Sequence, residues 1–312
     1  MNVKKKICKL FCTVLCLLLV LGITGCGNEG EEPVQPVTEL SDEAIEELHS
    51  SLKTTNGGYG FYFNEAIDAE TITAEILLPY IMAEYADAND IDLSVQNLYT
   101  FSDYESFSKD KGALEGFSKK EIDEFIKQRF HIARDFTPDV EHPWNHHDGS
   151  EVYLYEVPNF AAFFLYDVND EMYYFVSVPR MNAISQIYQN FVKAEQTEDA
   201  VYIYDKPIID MTGSTYHTIS TAFKSGYLSE EDNQAYKDEY CLDSYNMKEL
   251  PAYVTEDGEF DSEIAFDTFN SRIPTYKHTF KKADNGNYYW FASEIVEHGV
   301  DMAEDGEETS AE

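Results

Sequence analysis

"PTYKHTFKKADNGNYYWFASEIV", residues 274–296, is the stretch whose reading decides the fold. Strand-forming residues flank Asn285-Gly286, a dipeptide suited to a primed two-residue turn, and the segment predicts an antiparallel hairpin. The same period-two pattern fills the chain from about residue 150. "EVYLYEVP" (151–158) precedes "FAAFFLYDVNDEMYYFVSVP" (160–179), where Asp167-Val168-Asn169-Asp170 breaks a run of strand formers into a second hairpin, and "AVYIYD" (200–205) alternates cleanly. Residues 184–192 fit either element, because Ile184, Ile187, Tyr188 and Phe191 suit a helix while the position between strands suits a strand.

Upstream the period lengthens. Ser41 can cap a helix that puts Ala44, Ile45, Leu48 and Leu52 on one face. "TITAEILLPYIMAEYA" (71–86) is apolar on nearly all sides and predicts a buried helix that Pro79 kinks or ends. In "FSKKEIDEFIKQRF" (117–130), Ser118 and Glu121 form a capping box, Phe117 and Ile122 a hydrophobic staple. "LSEEDNQAYKDEY" (228–240) predicts a short helix capped by Ser229. Helices followed by hairpins mean α+β, with N-terminal helices packed on one face of an antiparallel sheet. That layout resembles cystatin-like and NTF2-like architectures at the level of fold alone.

The first 26 residues speak to location. Lys4, Lys5, Lys6 and Lys9 precede a tract, Leu10–Leu21, that is apolar except for Thr13. This reads as a secretory signal, too short to span a bilayer comfortably. Ile23-Thr24-Gly25-Cys26 resembles the lipobox of bacterial lipoproteins. The resemblance implies cleavage after residue 25, a diacylglyceryl group on Cys26, and attachment to the outer face of the cell membrane. The hairpin "FKKADNGNYYWFAS" is also loosely similar to one in uncharacterised surface lipoproteins of Gram-positive gut-type bacteria, a likeness that implies no activity. The expected organisation is a signal peptide (1–25), a lipidated cysteine with an acidic flexible tether (26–40), a mainly helical part (41–149), a mainly antiparallel β part (150–299) that could share one domain with it, and a disordered acidic tail (300–312).

Composition narrows the partners. The chain has 59 acidic and 22 basic side chains, a net charge of −37, and loss of the four leader lysines leaves −41. Nucleic acid needs a basic footprint and is excluded on that ground. The membrane is expected as partner through the acyl anchor, with a cell-wall glycan, a peptide or a basic protein as further candidates. Cys241 alone of the five cysteines would remain unmodified in the mature chain, so no internal disulfide is expected and Cys241 reads as a small buried hydrophobe.

Chemistry-bearing motifs are sparse. The chain has no G-x-x-x-x-G-K-[ST], H-E-x-x-H, G-x-S-x-G or C-x-x-C. "NGGYGFYF" (56–63) reads as a turn into a strand. His142, His146, His147 and Asp148 in "EHPWNHHDGSE" are metal-type ligands, but His142-Pro143 disfavours the helix that would align them. Asp87, Asn89, Asp90 and Asp92, and Asp257, Glu259, Asp261 and Glu263, lack EF-hand spacing. No cofactor is expected beyond weak binding of Ca²⁺ or a transition metal. Tyr288, Tyr289 and Trp290 are candidates for a face that stacks on a ligand. No catalytic residue is assigned. The resulting expectation is a lipid-anchored protein with a non-catalytic binding or envelope role. Its alternatives are a cell-wall or glycan hydrolase using paired carboxylates, and a metal-handling lipoprotein using the histidine loop.

Overall fold

In a computed structural model, the described residues are 40–54, 60–89, 104–114, 116–132, 134–137, 152–156, 162–177, 184–212, 216–223, 230–246, 249–255 and 257–299. The expected leader with Cys26, the histidine segment 142–148 and the acidic residues 300–312 lie outside them.

The protein is α+β, as the periodicity predicts, with six helices and a curled antiparallel half-barrel among the described residues. The helices are α1 (Asp42–Ser50), α2 (Ala74–Ala88), α3 (Tyr104–Asp110), α4 (Lys119–Phe130), α5 (Glu230–Tyr240) and α6 (Ser262–Phe269). The strands are β1 (Ile67–Asp68), β2 (Gly116–Ser118), β3 (Val152–Glu156), β4 (Ala162–Asp167), β5 (Met172–Ser177), β6 (Ile184–Gln196), β7 (Ala200–Thr212), β8 (Tyr216–Ser220), β9 (Cys241–Asn246), β10 (Thr275–Lys282) and β11 (Tyr288–Glu297). They form a seven-stranded sheet in the order β1-β11-β10-β7-β8-β9, with β6 on β7, and a four-stranded sheet β2-β5-β4-β3.

Strand β7 organises the larger sheet. One edge pairs with β6 over nearly its whole length, Val201↔Gln196 to Thr212↔Ile184. The other edge pairs with β10 over residues 200–205 and with β8 over 209–212. Pro207 sits at the change of partner, the place in an interior strand where a missing N–H disturbs the ladder least. The ambiguous segment 184–192 is therefore strand, because a thirteen-residue partner was available to it. A bulge at Val192 shifts the register so that Phe191 stands beside Asp205 and Ala194 beside Ile203.

Most elements follow their local chemistry. Ser41 caps α1 by accepting from the Ala44 N–H at 3.2 Å. Ser118 and Glu121 complete the capping box of α4, which buries Ile122, Ile126 and Phe130. Helix α2 runs through Pro79 to Ala88, since packing on all sides outweighs one lost backbone bond. The 274–296 hairpin forms, but its turn differs from expectation. Ala283 accepts from the Gly286 N–H at 2.8 Å, and Gly286 alone is left-handed at φ 86°. That is a turn closed by a left-handed glycine, the longer hairpin form, because Asn285 keeps negative φ. Leu40 joins the fold through its N–H, which donates to Gln196 Oε1 at 2.8 Å.

Helical and strand-rich parts share one core. Phe61 stacks on Trp290 with centroids 4.1 Å apart, and Phe130 meets Trp290 edge-on at 6.2 Å. A second cluster, with Ile208, Ile219, Leu242, Tyr253 and Phe269, lies under α6. The outward face of β6, β7, β10 and β11 stays wet, with Lys193 over Tyr204 (4.4 Å), Lys277 over Tyr202 (5.1 Å) and Lys281 over Phe291 (3.1 Å).

At Gly60 the chain passes close to Ile187 of β6. A Cβ there would lie 2.7 Å from Leu52 O and 2.9 Å from Ile187 Cδ1. Gly60→Ala is expected to cost about 1–3 kcal/mol by overpacking. Urea denaturation should show a lower midpoint at unchanged slope, whereas Gly112→Ala, which meets nothing within 4 Å, should barely shift it.

Candidate functional site

The capped start of α4 sets one wall of an open cavity of about 480 Å³. Phe117 and Ile122 are buried, so Lys119, Lys120, Asp123, Glu124 and Lys127 turn to the opposite side of the helix. Left-handed His131 (φ 54°) ends the helix and sends the chain back along it, bringing in Asp135 and Thr137. Tyr166, Val168 and Glu171, from the end of β4 and the β4–β5 turn, close the remaining side. The Lys119 N–H donates to Glu171 O at 2.8 Å and ties the two walls together.

Lys119 organises the charges. Its Nζ lies 2.6 Å from both Asp123 Oδ2 and Asp135 Oδ1. Burial alone would lower its pKa, but the bonds to the two carboxylates outweigh that and raise it. Lys119 and the Thr137 hydroxyl hold the Asp135 carboxyl below its usual range. Asp123 Oδ1 is sequestered and has no hydrogen-bond donor among the described residues. The cavity thus carries three ammonium groups and four carboxylates over a floor made by Tyr166 and Val168.

A second polar cluster lies in the core. Asp205 points inward from β7 with no exposed surface. Tyr62 donates to its Oδ2 at 2.8 Å, while His49 Nε2 lies 2.9 Å from Oδ2 and His278 Nε2 3.0 Å from Oδ1. His278 Nδ1 is 2.7 Å from Ser293 Oγ, which accepts from Trp290 Nε1 at 2.9 Å. Gln189 donates to the Tyr62 hydroxyl and to His49 O. Burial opposes ionisation of Asp205, but the two histidines overcome it and lower its pKa to about 2.

Ser293, His278 and Asp205 thus reproduce the order of a nucleophile, a base and an orienting carboxylate. The geometry disqualifies them from catalysis. All three are essentially fully buried, so no substrate carbonyl can approach Ser293. Asp205 faces Nε2 of His278, Ser293 Oγ faces Nδ1, and the same oxygen also accepts from the indole N–H of Trp290. The two imidazoles aim at one carboxylate, which fills the place a cation would take. Among the described residues no three His, Cys, Asp or Glu side chains are grouped as a metal requires.

The strand alternation separates the three residues expected on a ligand face. Trp290 is 2% exposed and belongs to the core, Tyr288 packs against that core, and half-buried Tyr289 meets the His131 ring at 4.6 Å. The three therefore form no common platform. His142, His146, His147 and Asp148 lie outside the described residues. Asp261 caps α6 by accepting from the Ile264 N–H at 3.1 Å. Half-buried Cys241 lies beside the main core and is in no disulfide among the described residues. The cavity was not foreseen: the i,i+4 pairs Lys119–Asp123 and Lys120–Glu124 were visible, but Asp135 and Glu171 join them only in space. No family model, curated protein or solved structure matches the chain.

Asp205→Asn should destabilise the fold by about 3–5 kcal/mol, as for other broken buried ion pairs. Because the folded pKa lies below the unfolded one, the carboxylate's contribution is complete above about pH 4 and lost as pH falls through 2. Stability measured from pH 5 to 2 should therefore fall in the wild type by about 2 kcal/mol more than in Asp205→Asn. A fluorophosphonate probe should leave Ser293 of the folded protein unlabelled.

Proposed function

We propose that the protein is an extracytoplasmic lipoprotein, anchored through a diacylglyceryl group on Cys26, that binds a small polar ligand in the α4 cavity without transforming it. The observation that carries this reading is the cavity itself, about 480 Å³ and walled by charges held in place from three segments of chain. That volume is in the range of small-molecule sites. The lipobox-like Ile23-Thr24-Gly25-Cys26 supports the location, and among the described residues no helix is long and apolar enough to cross a membrane. The net charge of −37 supports small or uncharged wall components over nucleic acid as the natural partner.

Chemistry at the cavity is disfavoured by its electrostatics. A glycosidase needs one carboxyl whose pKa is raised so that it can donate a proton. Here a single ammonium bridges Asp123 and Asp135, and Asp135 is lowered. Asp210, which burial does raise, lies elsewhere, 3.1 Å from His217 between β7 and β8.

Cells fed an alkyne fatty acid should yield labelled wild-type protein in the membrane fraction. Cys26→Ala should be unlabelled and should accumulate as the uncleaved precursor. Immobilised protein should retain low-molecular-weight wall digest components and release them unchanged in mass. An unlabelled, cytosolic wild type, or retained components returned cleaved, would overturn the reading.

A further inference from the structure

Helix α1 is fastened to the fold mainly at its ends. None of its nine residues is buried, and its acids Asp42, Glu43, Glu46 and Glu47 are exposed. Ahead of it, the Leu40 N–H donates to Gln196 Oε1 at 2.8 Å. In its last turn, His49 Nε2 meets Asp205 Oδ2 at 2.9 Å, and the His49 carbonyl accepts from Gln189 at 3.0 Å. The His49 ring stands edge-on to Phe191 at 5.5 Å. Leu40 and Leu48 lie against the main core but are only part-buried.

The residues just after α1 are held far more firmly. Leu52 has no exposed surface, and its carbonyl accepts from the Phe61 N–H at 3.0 Å. Tyr80 donates to Ser51 O at 2.8 Å, and Lys53 pairs with Gly60 across an antiparallel bridge. Helix α1 therefore hangs from the core by a hinge at Ser51–Leu52.

Asp205 tolerates the departure of His49. Its Oδ2 keeps the Tyr62 hydroxyl at 2.8 Å, and its Oδ1 keeps His278 Nε2 at 3.0 Å. The His49 side chain is 12% exposed, so water follows it in and takes up its bond. Tyr62 and His278 have no exposed surface and no such replacement. Opening α1 thus bares little apolar surface and orphans no ion, the conditions under which a segment unfolds without the rest.

We propose that α1 is a strap that opens as a unit about Ser51–Leu52 while the sheet stays folded, with the His49–Asp205 contact as its catch. Once open, residues 40–51 are a chain of up to about 40 Å, where the closed helix spans about 13 Å. A pull on the chain ahead of Leu40 meets the Gln196 bond and then the catch before it meets any strand. With Cys26 anchored as proposed above, the strap is a reserve of reach between membrane and fold. That use rests on the anchored reading; the opening itself does not.

The test is native-state hydrogen exchange of the full chain through a series of sub-denaturing urea concentrations. Amides 46–51 should be protected about a hundredfold less than those of Val201–Asp205, which have a strand on both sides. Their exchange should barely respond to urea, because local opening exposes little surface. His49→Ala should lower α1 protection about tenfold further and leave the protection of β7 much less changed. Equal protection of α1 and β7 in the wild type, or the same urea response in both, would mean that α1 leaves only with the sheet and would overturn the proposal. Equal losses in α1 and β7 from His49→Ala would overturn it too. The wild-type urea series decides alone should that variant not fold. An unlabelled Cys26 in the fatty-acid experiment would remove the reserve of reach and leave the strap.

Discussion

A carboxylate with no exposed surface must be solvated by the protein itself, and that requirement at Asp205 shapes much of the molecule. Its partners come from α1 (His49), the segment after Gly60 (Tyr62) and β10 (His278), and Ser293 of β11 completes the chain of bonds. Residues up to 156 positions apart in sequence converge on one side chain. Removing an ion from water costs several kcal/mol, and only near-ideal bonding offsets it. Misplacing any one of these elements would leave Asp205 short of a donor. The cluster therefore selects one arrangement of helix, crossing segment and sheet among those the apolar core alone would tolerate.

The same requirement explains why the cluster looks like a hydrolytic triad without being one. Hydrogen-bond geometry suitable for moving protons is also suitable for stabilising a buried charge. What distinguishes the two is access, and aromatic packing denies it. Trp290 both stacks on Phe61 and donates to Ser293. The side chains that line the open cavity lie on the exposed side of α4, where surface charges are held by one another.

Much of the fold was legible because it rests on local rules. The capping box of α4, the Ser41 cap and the hairpin at 274–296 each depend on residues within a few positions of one another. The charged core was partly legible too: alternation puts Asp205 on the face of Val201 and Ile203, and His278 on that of Tyr276 and Phe280. What the pattern could not supply was that β7 and β10 lie side by side, with Asp205 beside Tyr276 and Ile203 beside His278, so that both polar residues share one face. Tyr288-Tyr289-Trp290 misled for a related reason, since a run of aromatics looks like a platform until the pleat sends alternate rings to opposite sides. Segment 184–192 was ambiguous because apolar spacing there fits both periods, and the long partner in β7 decided it. The cavity was hidden because half of its walls come from residues that sequence keeps 12–48 positions away from Asp123.

The treatment of β6 has a consequence for the protein at high local density. Among the described residues β6 pairs only with β7, so its other side could template a strand from a neighbouring copy. The bulge at Val192 breaks the regular repeat of donors and acceptors there, and Lys193 places an ammonium beside it. Lys53 Nζ occupies the Ile187 carbonyl at 2.9 Å, and His49 of α1 lies against Phe191. An edge so interrupted resists fibril-like addition, which lets many copies crowd together and remain separate molecules.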